Sequence, residues 1–102
     1  MKVIADVCIV PIGVGVSLSR YVAACERILT EAGLCIHLHA CGTNVEGEWD
    51  AVIAAVERCH VALHEMGAPR IVTTLRLETR TDRAQTMADK VESVRARLSE
   101  GV

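Results

Sequence analysis

Thiols and imidazoles alternate along Cys35-Ile-His37-Leu-His39-Ala-Cys41. At the two-residue period of a strand these four groups share one face, and both are ligand types that zinc prefers. Four successive same-face positions span too far to reach one ion, so at most two would bind it. Packing at an interface, where mid-polarity side chains are at home, is the plainer use of such a stripe. His60 and His64 stand four residues apart and could clamp a metal from one side of a helix. They lack the H-E-x-x-H pattern of metalloproteases, and a solvated helix face is the better reading of them. Gly13-Val-Gly15 is a fragment of a phosphate-binding turn, without the third glycine or a following Lys-Ser/Thr. Ser17 and Ser19 form no nucleophile elbow and are placed to cap a helix. No acid–base pair stands out, so catalysis is not expected and no catalytic residue is assigned.

The stretch Gly42-Thr-Asn-Val-Glu-Gly47-Glu-Trp-Asp50 is richer. It carries a hydroxyl, an amide, a carboxylate and the sole Trp into the start of a helix. Trp49 can anchor packing there or stack on a ligand. Thr43 and Glu46 are polar groups beside a sheet edge, where a pocket can open.

The elements that must position these groups follow from periodicity. Lys2 to Val10 is an apolar, β-rich run, and Pro11 to Gly15 reads as a turn. Leu18, Val22, Cys25, Leu29 and Ala32 recur at helical spacing after Ser17 or Ser19 as cap, with Gly33 placed to end the helix. Leu34 to Cys41 alternates as a strand, and residues 42–47 form a hairpin link with a brief third strand. Val52, Val56, Cys59, Leu63 and Met66 make the apolar stripe of a second helix, terminated by Gly67 and Pro69. Arg70 to Glu78 is the fourth strand, and Met87, Val91, Val94 and Leu98 mark a last helix. The order βαββαβα predicts an α+β, ferredoxin-like sandwich over residues 1–102, with two helices on one sheet face and an extra C-terminal helix.

Composition narrows the function. The chain has 102 residues, enough for one domain, yet 51% are hydrophobic and none is Phe. The first strand is apolar on both sides, Val3, Ala5, Val7 and Ile9 on one and Ile4, Cys8 and Val10 on the other. An antiparallel sheet with one wet face alternates more cleanly. The second face is therefore expected to be bare within the chain and covered by another subunit, making a homodimer or homotetramer. A net charge of −2 and 2% aromatic residues argue against nucleic acid as a partner. The first apolar run is interrupted by Asp6, Pro11 and glycines, which argues for a strand over a signal peptide, and it is too short to cross a bilayer. Five cysteines, odd in number and without a C-x-x-C pair, suggest reduced thiols in the cytoplasm.

Five segments, Val7-Cys-Ile-Val-Pro-Ile-Gly13, Ser17-Leu-Ser-Arg-Tyr-Val22, Cys41-Gly-Thr-Asn-Val-Glu-Gly47, Met66-Gly-Ala-Pro-Arg-Ile-Val-Thr-Thr74 and Lys90-Val-Glu-Ser-Val94, resemble the thiamine-binding protein family in order and across nearly the whole chain. The resemblance implies a ferredoxin-like fold, a homo-oligomer, and binding of thiamine or its hydroxymethylpyrimidine half without chemistry, the vitamin being ligand rather than cofactor. It suggests Ser17, Tyr21, Thr43, Asn44, Glu46 and Trp49 as ligand-binding residues. In that reading Glu46 pairs a pyrimidine nitrogen, Thr43 or a backbone carbonyl its amino group, and a carboxylate or the face of Trp49 or Tyr21 the thiazolium cation. The Cys/His stripe departs from the family pattern. Two other readings remain: a metal-binding protein using the strand His and Cys residues, and a structural or regulatory module whose sheet face docks another protein.

Overall fold

The structure, a computed structural model, describes residues 1–101. Its elements are β1 (Lys2–Ile12), α1 (Ser19–Glu31), β2 (Cys35–His39), β3 (Gly42–Glu48), α2 (Trp49–Glu65), β4 (Arg70–Glu78) and α3 (Met87–Ser99). The four strands form one antiparallel sheet in the order β2-β3-β1-β4, consistent with the expected ferredoxin-like α+β arrangement.

Register decides which residues meet which layer. Val3, Ala5 and Val7 face Gly47, Val45 and Thr43 across the β1–β3 ladder, and these positions point toward α1 and α2. Tyr21, Cys25 and Leu29 from α1 and Val52, Ala55, Cys59 and Leu63 from α2 complete a buried aliphatic core. The opposite, outer face carries Ile4, Asp6, Cys8, Asn44, Glu46, His37 and Arg76 in register.

Several boundaries differ from expectation, each for a physical reason. β1 runs on through Pro11 to Ile12 because β4 continues to pair with it after β3 has stopped at the Val7–Thr43 pair. Proline is tolerated there because that stretch of β1 has an open edge. Residues 42–48 are a full inner strand, not a link, and the hairpin turn is the short Ala40–Cys41 step. Cys41 therefore lies beyond β2, off the stripe of Cys35, His37 and His39. Neither serine caps α1: Leu18 is the N-cap, its carbonyl accepting from the Tyr21 and Val22 amides, and Ser19 is the first helical residue. The glycine stops hold at both Gly33 (φ 78°) and Gly67 (φ 102°), a left-handed conformation that disfavours any side chain.

The outer face is not bare within the chain. The first turn of α3 docks on it, capped by reciprocal Thr86–Asp89 hydrogen bonds. It is pinned by the Met87 amide donating to Glu46 (2.6 Å) and by Lys90 to Glu78 (2.6 Å). No α3 residue is buried, and Val91, Val94 and Leu98 remain 50%, 60% and 68% exposed. Extents of 49 × 30 × 19 Å and a radius of gyration of 15.4 Å, against about 13 Å for a compact chain of this size, reflect that loosely docked helix. Among the described residues no helix is long and apolar enough to cross a membrane.

Candidate functional site

β1 outruns the β2–β3 hairpin, and that mismatch opens a cavity. Past Val7 the β1 edge has no β3 partner, and α1 roofs the gap with Leu18, Val22, Cys25, Glu26 and Leu29. The hairpin turn, from Leu38 to Thr43, forms the facing rim. The cavity holds about 310 Å³, at the lower end of the range for small-molecule sites.

Its polar equipment is sparse and specific. Thr43 is the buried polar residue of the core, and its hydroxyl donates to the Glu26 carboxylate at 3.0 Å. Glu26 is thereby held within a wall of aliphatic side chains, one carboxylate oxygen engaged and the other available. The open β1 edge adds backbone groups that a ligand can pair. A carboxylate, a hydroxyl and a strand edge in an apolar cleft suit a flat heteroaromatic molecule bearing amino groups or positive charge.

His39 fixes the rim. The Cys41 amide donates to His39 Nδ1 at 3.2 Å, which leaves Nε2 as the protonated nitrogen, 2.7 Å from Asp6. Asn44 Nδ2 approaches the same Asp6 oxygen at 3.5 Å. The chain Cys41–His39–Asp6–Asn44 ties the turn over the cavity to the outer face of the sheet.

The structure separates the six sequence-derived candidates. Thr43 lines the cavity. Asn44 and Glu46 project from the outer face, as the strand alternation requires, and Glu46 is spent on the α3 amide. A single-chain pocket holding both Thr43 and Glu46 side chains is therefore not what the fold provides. Tyr21 is buried in the core with the Arg20 guanidinium 5.2 Å from its ring centre, so one face is occupied. Ser17 is exposed ahead of α1. Trp49 is half-buried against the core, its amide donating to the Met1 carbonyl at 2.8 Å, which is the packing role.

Glu26 escaped the sequence reading, although a signal was there. It lies four residues after Val22 and three before Leu29, a charge inside an apolar stripe. The second imidazole pair is also engaged: His60 Nε2 lies 2.5 Å from Thr73 Oγ1 and His64 Nδ1 lies 2.7 Å from the Ala68 carbonyl. Among the described residues no three His, Cys, Asp or Glu side chains are grouped to hold a metal ion.

Comparison with known proteins gives these features a context. The family model described as thiamine-binding protein matches residues 5–95. UPF0045 protein sll0230 of Synechocystis is 61% identical over 94 residues, covering 92% of this chain and 78% of that one. UPF0045 protein ECM15 of Eremothecium gossypii is 41% identical over 101 residues, covering 98% and 96%. The crystal structure of MJ1052 from Methanocaldococcus jannaschii superposes with a TM-score of 0.86 at 30% identity, over 91% of this chain and 95% of that one. That of TM0486 from Thermotoga maritima, for which a role in thiamine biosynthesis or salvage has been suggested, gives 0.79 at 21% identity over 92% and 99%. The last likeness bears on the fold alone, whereas the family match spans both α1 and the β2–β3 hairpin that frame the cavity: the chain belongs to the thiamine-binding protein family.

Proposed function

We propose that this protein binds thiamine, or its hydroxymethylpyrimidine half, in the cavity between α1 and the β2–β3 hairpin, without chemical conversion. The observation that carries this reading is the Glu26–Thr43 hydrogen bond inside an aliphatic wall. Glu26 pairs the aminopyrimidine through its free carboxylate oxygen, and the open β1 edge supplies backbone partners for the amino group. The thiazolium, a fixed cation, points outward past the His39–Cys41 rim. Family membership supports the ligand class.

The working form in this proposal is a homo-oligomer in the cytoplasm. The uncovered α3 stripe of Val91, Val94 and Leu98 supports self-association, and five free cysteines fit a reducing compartment. Partners of this kind leave no role for nucleic acid or a membrane.

Calorimetric titration of thiamine and of hydroxymethylpyrimidine into wild type and Glu26→Gln tests the site. Saturable binding that weakens in the variant is expected. Wild-type affinity in Glu26→Gln, or no heat with either ligand at millimolar concentration, overturns it.

A further inference from the structure

Two of the five cysteines meet where α1 packs on α2. Cys25 and Cys59 are both buried, at 6% and 0% exposure, and the Cys59 thiol lies 3.9 Å from the Cys25 carbonyl. Small residues flank them, Ala24 on α1 and Ala55 on α2, which lets the helices come close. The contact seats the Cys59 sulfur against the backbone of the cysteine it would bond.

The pair differs from the ordinary buried cysteine in two ways. First, it has a route to solvent, because Cys25 lines the cavity under α1. Second, the two sulfurs are inequivalent. The Cys59 side chain, reinforced by burial, holds the Cys25 thiol well above its usual range, while the Cys25 side chain lowers Cys59. Glu26, beside both groups, opposes ionisation of either.

We propose that Cys25 and Cys59 are a redox modification site, closing to an intramolecular α1–α2 disulfide when a small two-electron thiol oxidant enters the cavity. With diamide as oxidant the two thiols together give up two protons and two electrons. One sulfur–sulfur bond forms, and the azo bond of diamide takes up both hydrogens to become a hydrazine. The inference does not depend on what the cavity binds.

Trypsin separates the cysteines cleanly, which makes the test direct. Cys25 falls in residues 21–27, Cys59 in 59–70, Cys8 in 3–20, and Cys35 with Cys41 in 28–58. Folded full-length protein is treated with diamide, quenched in acid, unfolded, alkylated and digested for mass spectrometry. The expected product is peptide 21–27 joined to 59–70 with the loss of two hydrogens, absent when Cys59→Ala is treated in the same way. A Cys35→Ser/Cys41→Ser variant, which removes both exposed thiols, forms the same bridge. Recovery of 21–27 and 59–70 as separately alkylated peptides overturns the proposal. So does a bridge that forms only after the protein is unfolded in urea.

Discussion

Glu26 stands where an apolar stripe would otherwise continue, and among the described residues only the Thr43 hydroxyl is hydrogen-bonded to its carboxylate. A charge-assisted hydrogen bond contributes about 1.5–3 kcal/mol, so Glu26→Gln is expected to weaken thiamine binding by roughly tenfold to a hundredfold. Thr43→Val keeps the shape and removes the donor that orients Glu26, and calorimetry is expected to show a smaller loss than in Glu26→Gln. The sequence showed Thr43 but not its partner, because a strand's alternation is local whereas the Glu26–Thr43 contact joins residues 17 apart in the chain. Glu46 misled for the same reason. Its neighbourhood in sequence is that of Thr43, while the pleat sends it to the opposite face, where Met87 claims it. The outer face also sets a pH dependence. Lys90 holds Glu78 below its usual 4.5, and the Thr86 backbone amide holds Asp89 below 3.8. Depressed folded values mean that these groups stabilise α3 above the ordinary carboxylate range and stop doing so as pH falls through the folded values. Hydrogen exchange along an acid series should show α3 losing protection before the sheet; simultaneous loss would contradict this.

At the scale of elements, α3 is held by its first turn. Glu46→Ala removes the acceptor of the Met87 amide, and exchange protection is expected to fall throughout α3 while α1 and α2 keep theirs. The hairpin rim is fixed by close packing. A methyl group at Gly42 would sit 2.7 Å from the Val7 carbonyl oxygen and 3.3 Å from the His39 ring. Neither backbone nor the tethered imidazole yields easily, so Gly42→Ala is expected to cost about 1–3 kcal/mol in urea unfolding. Element order and the C-terminal ends of α1 and α2 were legible because Leu29, Leu63, Gly33 and Gly67 follow the helical period and its stop signals. The length of β3 was not, since Gly42 to Glu48 has little strand propensity and is held in place by β1 and β2 on either side. The end of β1 was hidden too: Pro11 reads as a turn unless β4 is known to pair with it alone.

For the whole molecule, the aliphatic excess of the sequence is now located. Part fills the layer between α1, α2 and the sheet, and part stays on α3, where Val91, Val94 and Leu98 remain half or more exposed. Light scattering on the full chain is expected to give a multiple of the monomer mass, and Val94→Glu with Leu98→Glu to reduce it; a concentration-independent monomer would contradict the proposed assembly. The central claim concerns the cavity itself, and amide chemical shifts followed through a thiamine titration address it most directly, because the sheet's two faces report separately. Saturable shifts at Cys8, Ile9, Glu26, Cys41 and Thr43, with Met87 and Val91 unmoved, are the predicted result. Shifts centred on Met87, Val91 and His37 would place the ligand on the outer face and contradict the account.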